Sequence, residues 1–161
     1  MITLTGKSVF RGITIGPLAL FHRNTISTAV HEIESTEDEV KRFHGAREKA
    51  MEQLRMLYDK AVQKVGEEQA AVFEVHQMML EDDDYIESIE GLIQNEKMNA
   101  EAAVEQTAQL FAEMFRSMED AYMQERAADV LDISRRLQME LCGGQGVDFS
   151  KYGEVIIAAD D

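Results

Sequence analysis

Residues 67–80 read EEQAAVFEVHQMML and carry more apolar surface than a single packed helix face requires. At about 100° per residue, the apolar side chains fall into two stripes roughly 100° apart. The first stripe holds Ala70, Phe73 and Leu80, and the second holds Val72, Val75 and Met79. One stripe is sufficient to hold a helix on a small bundle. The second stripe leaves two interpretations open: a cover for a neighbouring helix, or a face that docks a partner.

Helical periodicity continues on both sides of this stretch, and the capping residues and glycines predict where the helices begin and end. Thr36 and Glu39 have the spacing of a capping box, so we expect the Thr36 hydroxyl to accept a hydrogen bond from the Glu39 amide. Gly66 ends this first helix, and Asn99 is expected to cap the fourth. The glycine pair at 143–144 ends the fifth.

The two ends of the sequence read as short strands. Residues 2–21 combine apolar runs with a glycine-rich turn, and residues 153–159 form an apolar run of the buried type. Since a strand needs neighbours, we infer that the helical block is inserted in, or lies next to, a β-containing domain. The predicted fold class is mainly α, with antiparallel helical hairpins of the four-helix-bundle type over residues 33–144. Residues 1–32 and 145–161 are assigned to the β-containing part.

The chain is strongly acidic, with 31 Asp and Glu residues against 16 Lys and Arg residues. Such a chain is expected to avoid nucleic acid and anionic membrane surfaces, and to attract a basic partner. Between Glu67 and Glu125, 16 residues are acidic and two are basic. An apolar strip rimmed by one sign of charge suits the docking of a small basic protein. The methionines expected at its surface are Met78, Met79, Met118 and Met123.

Cysteine usage and hydropathy favour a cytoplasmic protein. Cys142 is the only cysteine in the sequence, which excludes an internal disulfide and a zinc site built from cysteines. The first residues lack the charged and then apolar pattern of a signal peptide, and no apolar run approaches about 18 residues. We therefore expect no membrane insertion.

No complete active site or metal site is evident from the pattern of side chains. A di-iron bundle needs Glu three residues before a ligating His, but Lys41 precedes His44 and Phe73 precedes His76 at that spacing. Residues 81–84 lack the alternating ligands and central glycine of a calcium loop. A histidine such as His76 is more often a packed or hydrogen-bonded helix residue than a catalyst. We assign no catalytic and no metal-binding residue.

Five segments, in order along the chain, resemble the enzyme I family, the phosphoenolpyruvate-protein phosphotransferases of the bacterial sugar phosphotransferase system. They are GITIG at 12–16, the run 66–82 around the doubly apolar helix, MNAEAA at 98–103, YMQERAADVLDI at 122–133 and the run 154–160. The segment at 122–133 is the most specific. The resemblance implies a helical domain beside a fragment of a β/α phosphohistidine domain of the swivelling type.

The resemblance also implies the chemistry of the family. A histidine of enzyme I accepts the phosphoryl group of phosphoenolpyruvate, with help from a C-terminal phosphoenolpyruvate-binding barrel domain and Mg²⁺. It then passes the group to a histidine-containing phosphocarrier protein (the carrier). The phosphoryl-accepting histidine of enzyme I lies in a Gly-Gly-x-x-Ser-His motif, which the glycine pair at 143–144 does not match. We therefore expect no phosphoryl-accepting histidine, no cofactor and no transferase activity in this chain alone.

The residues that the resemblance assigns to carrier docking lie in two helical regions. The first group is Glu67, Glu68, Val72, Val75, His76, Met79, Asp82, Asp83 and Asp84. The second group is Phe111, Phe115, Met118, Tyr122, Met123 and Arg126. Arg126 has two open roles: a bridge to a carbonyl of the carrier, or an ion pair with Asp129 or Glu119. Two alternatives for the function are the equivalent module of a paralogous multi-domain phosphotransferase protein and a non-catalytic helical adaptor.

Overall fold

The structure, a computed structural model, describes residues 15–21, 27–143 and 155–159. In this part of the chain, two short strands flank five helices. The elements are β1 (Leu18–Phe21), α1 (Thr36–Val65), α2 (Glu67–Leu80), α3 (Asp83–Glu96), α4 (Ala100–Arg116), α5 (Ala121–Leu141) and β2 (Ile156–Ala159). The chain divides into two compact units, one of residues 1–25 with 147–161 and one of residues 26–146.

Helices α1 and α2 form the first antiparallel hairpin, and a single residue, Gly66, reverses the chain between them. Gly66 has a φ of 95°, a backbone conformation that residues with a Cβ rarely adopt, so glycine is required there. Arg47 Nε donates to the Leu80 carbonyl oxygen at 2.5 Å. This bond holds the end of α2 beside the first half of α1.

Helices α4 and α5 form the second antiparallel hairpin. Asp120 caps α5, because its Oδ1 accepts a hydrogen bond from the Tyr122 amide at 2.8 Å. The Gln138 side chain donates to Glu105 Oε2 at 2.8 Å and holds the end of α5 beside the first half of α4. The predicted mainly α fold with antiparallel helical hairpins is confirmed.

Helix α3 contacts both hairpins. His44 Nε2 on α1 lies 2.8 Å from Glu90 Oε1 on α3, and the Tyr85 hydroxyl on α3 lies 2.7 Å from Ser134 Oγ on α5. The core between the helices is filled by large, fully buried side chains: Phe43, Leu54, Leu80, Ile89, Ile93, Val104, Val130, Ile133 and Leu137. Burial of each such apolar side chain contributes about 1.5–3 kcal/mol to folding.

The start of α1 differs from the prediction. Ser35 is the N-cap, and its Oγ accepts a hydrogen bond from the Asp38 amide at 3.2 Å. Thr36 is already the first helical residue, so the predicted capping box is wrong. The Glu39 carboxylate instead accepts hydrogen bonds from Arg42 Nη2 and from the Ala100 amide, each at 2.6 Å. The second of these partners lies 61 residues away along the chain, which a local motif cannot anticipate.

The start of α4 corrects a second prediction. Asn99 occupies the N-cap position, but its side chain makes no capping hydrogen bond. Its Oδ1 accepts from the His31 amide at 3.0 Å, and its Nδ2 donates to Glu101 Oε2 at 3.1 Å. Glu39 satisfies the first amide of α4 in its place, so Asn99 serves to anchor the segment that leads into α1.

The two strands belong to the other unit and pair in parallel, with Leu18 opposite Ile156 and Phe21 opposite Ala159. The Ile156 amide also donates to the Pro17 carbonyl oxygen at 2.8 Å. The described strands at the two ends of the sequence therefore pair with each other. The remaining strand positions within 2–14 lie outside the described residues. The assignment to a phosphohistidine domain, and the domain boundaries after residues 32 and 144, stay predictions.

Candidate docking surface

An apolar cavity of about 430 Å³ opens between α2, the start of α3, the end of α4 and the start of α5. Its lining is dominated by thioether, aromatic and aliphatic side chains, with two carboxylates and one guanidinium. The lining residues are Val75, Met78, Met79, Asp82, Asp84, Tyr85, Phe111, Met114, Phe115, Tyr122, Met123, Arg126 and Val130. Since both helical hairpins contribute, the cavity exists only when they are packed together.

Most of the residues predicted for docking meet at this cavity. Those that line it are Val75, Met79, Asp82, Asp84, Phe111, Phe115, Tyr122, Met123 and Arg126. Those that do not line it are Glu67, Glu68, Val72, His76, Asp83 and Met118. Sequence reasoning left Met78, Tyr85, Met114 and Val130 out of the docking set. The helical spacing of Met114 from Phe111 and Phe115 was the available signal for one of them.

The two stripes of α2 have different surroundings. Ala70 and Leu80 of the first stripe are fully buried in the core. Val72 of the second stripe is exposed, and Val75 and Met79 are half-buried in the cavity wall. The first stripe therefore holds α2 on the bundle, and the second remains accessible.

Acidic side chains lie along one edge of the cavity. Asp82 and Asp84 line it and are exposed, and Asp82 Oδ1 also caps α3 by accepting from the Tyr85 amide at 3.0 Å. Glu67 and Glu68 are exposed at the start of the same α2 helix, about 20 Å away at 1.5 Å per residue. The acidic edge therefore extends well beyond the cavity along α2.

The opposite wall is braced by aromatic packing. The rings of Tyr85 and Phe111 meet edge to face, with centroids 5.7 Å apart. Tyr85 is almost fully buried, and this burial raises the pKa of its hydroxyl, which therefore stays neutral near pH 7. Phe111 and Phe115 are only partly buried and also contact the core. The wall is thus rigid at its base and accessible at its rim.

Arg126 alone is basic among the described residues that line the cavity, and its charge is neutralised within the domain. Its Nη1 lies 3.0 Å from Asp129 Oδ2, and its Nη2 is hydrogen-bonded to the Tyr122 hydroxyl. The guanidinium carbon lies 4.4 Å from the centroid of the Tyr122 ring, a cation–π arrangement. Of the two roles left open, the ion pair with Asp129 is the one that the unbound chain adopts.

His76 faces the interior of the bundle. Its Nε2 is buried and lies 3.5 Å from Asp129 Oδ1 without a hydrogen bond to any described residue. The side chain contributes to a second cavity of about 410 Å³ between α1, α2 and α5. The other residues of that cavity are Gln53, Phe73, Asp132, Arg135, Arg136, Met139 and Glu140. His76 therefore lines this second cavity and does not line the apolar cavity.

The described residues hold neither a cluster of metal ligands nor a helix that could span a membrane. Within residues 15–21, 27–143 and 155–159, no group of three or more His, Cys, Asp or Glu side chains could hold a metal ion. None of the helices in this part of the chain has the length and hydropathy needed to cross a membrane. The groups that the cavity does offer are suited to binding a protein surface through apolar contact and charge.

Comparison with known proteins gives consistent matches along the chain. A family model described as "PEP-utilising enzyme, N-terminal" matches residues 5–126. A phosphoenolpyruvate-protein phosphotransferase of Listeria monocytogenes is 38% identical over 159 residues, which is 98% of this chain and 28% of the relative. The protein of the same name from Enterococcus faecalis is 36% identical over 160 residues, again 98% of this chain and 28% of the relative. The chain thus spans about 28% of the length of these relatives.

Solved structures share the fold. A solution structure of an enzyme I protein superimposes with a TM-score of 0.81 and 32% identity, covering 91% of this chain and 60% of that one. A structure described as the N-terminal domain of "Enzyme 1 - Nitrogen" superimposes with a TM-score of 0.70 at 23% identity, covering 80% of this chain and 56% of the other. At that lower identity, the second match shows the fold alone.

Proposed function

From the premise that this chain belongs to the family of the N-terminal region of PEP-utilising enzymes, we propose that its helical unit docks the histidine-containing phosphocarrier protein. One observation carries the proposal: α2, α3, α4 and α5 together form an apolar cavity with an acidic edge. A carrier with a basic, partly apolar face would fit this surface. The names of the relatives support the same partner, because a protein phosphotransferase must bind the protein that receives its phosphoryl group.

The apolar centre is expected to supply most of the binding energy. Val75 and Met79 lie on one side of the cavity, and Phe115 and Met123 lie on the other. A few desolvated anchors usually dominate the affinity of a protein interface, and a ring of weaker contacts around them excludes water. Methionine suits this role, because its flexible thioether adapts to an irregular partner surface.

The acidic edge is expected to steer the encounter. Asp82, Asp83 and Asp84 are exposed beside the cavity, and Glu67 and Glu68 extend the same charge to the other end of α2. Exposed charges of one sign raise the association rate of an oppositely charged partner more than they raise its affinity. We retain Val72 and Met118 in the proposed surface because both belong to the same helical faces. His76 is retained as a residue that supports this face from within.

In the whole protein, the phosphoryl group would pass from phosphoenolpyruvate to a histidine of enzyme I, and then to the histidine of the docked carrier in the cytoplasm. Mg²⁺, when bound, neutralises charge on the transferring group. Following the family resemblance, we assign the metal to the C-terminal phosphoenolpyruvate-binding domain of the whole protein. This chain's own residues orient the carrier and exclude water from the contact.

The proposal is tested by titrating the isotope-labelled carrier with this chain and following its NMR shifts. Met78→Asp and Met79→Asp are each expected to weaken binding by tenfold or more, because an unpaired carboxylate would be buried against an apolar surface. Met78 is the safer variant for folding, since its side chain is exposed in the free chain. Leu110→Asp is the matched control, because Leu110 is an exposed apolar residue of α4 outside the cavity.

Retained binding in both methionine variants would refute the proposed surface. Incubation of the chain with phosphoenolpyruvate, Mg²⁺ and the carrier is a separate test of the chemistry. We expect no phosphohistidine on either protein, because no histidine of the sequence lies in the family's phosphorylation motif. Sustained transfer would show that the active site had been misassigned.

A further inference from the structure

Methionines are concentrated around the docking cavity. Four of the ten methionines of the chain line it: Met78, Met79, Met114 and Met123. Two of these are open to solvent, with Met78 69% exposed and Met114 44% exposed. Met51, in contrast, is 6% exposed in the core. The most accessible thioethers of the cavity thus lie where a partner is proposed to bind.

We infer that Met78 and Met114 form an oxidation-sensitive site, at which conversion of the thioether to the sulfoxide switches off docking. The inference rests on the proposed function, because docking is the property that the modification controls. The oxidant is a peroxide, with hydrogen peroxide as the simplest case. Oxidation of a thioether depends on access to the sulfur, which both residues provide in the unbound chain.

The reaction balances with the peroxide as its only co-reactant. A lone pair of the methionine sulfur attacks one peroxide oxygen, so the S–O bond forms as the O–O bond breaks. The departing hydroxide takes up the proton of the transferred oxygen and leaves as water. Sulfur is oxidised by two electrons and the peroxide is reduced by two. Methionine sulfoxide reductases reverse the change at the expense of a thiol reductant.

A sulfoxide at these positions replaces an apolar thioether with a polar, hydrated group, which loses its water when a partner covers the cavity. The new oxygen is only an acceptor, and the nearby Asp82 and Asp84 carboxylates are also acceptors. The Arg126 guanidinium already donates to Asp129 and Tyr122. Docking would therefore have to desolvate the sulfoxide oxygen at a site that otherwise offers apolar contact, for which we expect a loss of about tenfold or more in affinity.

The experiment treats the whole chain briefly with hydrogen peroxide and locates the added oxygen by peptide mass spectrometry. Met78 and Met114 should be oxidised well before the buried Met51 and Met98. Carrier affinity should fall by about tenfold or more, and a methionine sulfoxide reductase should restore it. Bound carrier should also protect the two residues from the peroxide.

The chain supplies its own control in Met56, a methionine of α1 that is 47% exposed and does not line the cavity. The Met78→Leu/Met114→Leu double variant should keep its affinity through the peroxide treatment. Met56→Leu should lose affinity as the unmodified chain does. Leucine preserves the apolar volume, so both variants are expected to fold, and the affinity of each variant after treatment is compared with its own affinity before treatment.

The outcomes separate this inference from the proposal on which it rests. If the untreated chain does not bind the carrier, docking itself is wrong. If the untreated chain binds and the chain oxidised at Met78 and Met114 binds as tightly, the switch is wrong. The switch is also overturned if the double variant loses affinity on oxidation as the unmodified chain does, or if Met51 is oxidised as fast as Met78.

Discussion

The α4–α5 hairpin ends in a closed polar network on one side and in an open apolar cavity on the other. At the closed end, Arg42 donates from Nη1 to Glu101 Oε1 at 2.8 Å and from Nη2 to Glu101 Oε2 at 2.7 Å. Its Nη2 also meets Glu39 Oε1 at 2.6 Å, and its Nη1 reaches the Leu141 carbonyl oxygen at 3.2 Å. At the open end, apolar side chains and unpaired carboxylates face solvent.

The difference separates an end whose charged groups are paired within the chain from an end at which we propose that the carrier binds. Burial alone would raise the pKa of Glu101, but hydrogen bonds from Arg42, its own backbone amide and Asn99 outweigh it and lower the pKa to about 2. Burial also opposes the ionised form of Glu39, whose pKa is nevertheless lowered by Arg42 and the Ala100 amide. Charge at the closed end is paired internally, whereas Asp82 and Asp84 at the open end are exposed to solvent.

The largest expected effect comes from breaking the closed end. Arg42→Met should lower the free energy of unfolding by about 3 kcal/mol, because Glu39 and Glu101 would lose their shared counter-charge. This figure is at the low end for buried ion pairs, since Arg42 is partly exposed. Urea unfolding measures the change. Lys41→Met is the control, because the Lys41–Glu37 pair is exposed and should contribute about 0.5 kcal/mol or less.

Equal losses of unfolding free energy in Arg42→Met and Lys41→Met would mean that the polar network at the closed end contributes no more than an exposed ion pair. Carrier affinity should be almost unchanged in Arg42→Met, measured where both proteins remain folded, because the network lies at the end of the hairpin away from the cavity.

Acid should weaken the closed end in a defined pH window. The pKa of Glu101 is about 2 in the folded chain, below its ordinary value of 4.5, so the folded state binds fewer protons than the unfolded state between these values. The contribution of Glu101, about 3 kcal/mol, is complete above pH 4.5 and is lost as the pH falls towards 2. Urea titrations from pH 6 to pH 2 should show this loss. In the Arg42→Met variant the free energy of unfolding should depend less on pH over the same range. An unchanged pH dependence would mean that other groups than Glu101 bind the protons.

A smaller effect should follow from neutralising the acidic edge of the open end. Asp82→Asn together with Asp84→Asn should slow carrier association by about fivefold at low salt and reduce its salt dependence, with little change in dissociation. Asparagine can still cap α3, so folding is preserved. Stopped-flow mixing measures the rates. Asp132→Asn on the far side of α5 is the control; an equal loss of rate there would mean that only the net charge matters.

The smallest effect is expected for Arg126→Met. Because Asp129 already neutralises Arg126, its removal should change carrier affinity by less than about threefold. Arg135→Met, also on α5 but outside the docking cavity, matches the change in charge. A loss of tenfold or more in Arg126→Met alone would assign Arg126 to a direct contact with the carrier.

The sequence predicted what local chemistry determines. The boundaries of α2 follow from Gly66 and from the apolar run itself, and its two stripes separate into a core face and an accessible face. The caps at Thr36 and Asn99 were predicted wrongly, because the groups that decide them come from distant segments. Pairwise hydrogen bonds across 60 or more residues leave no periodic signal in one sequence.

The residues of the cavity also divide into those that local sequence could predict and those that depend on tertiary packing. Residues on α2, α4 and α5 could be assigned to a face from helical spacing and from the family resemblance. The place of Tyr85 could not, because it depends on how α3 packs between the hairpins. The Tyr85 hydroxyl forms a hydrogen bond with Ser134 Oγ on α5, and Tyr85 lies in the lining of the cavity.

The segments that enter and leave the helical unit are both fastened to the closed end. Asn99 holds the His31 amide, and Arg42 holds the Leu141 carbonyl oxygen. A tensile load applied through both segments would therefore be borne first by these hydrogen bonds, in shear against the ends of α4 and α5. The cavity lies at the other end of the α4–α5 hairpin, away from both of these anchoring hydrogen bonds.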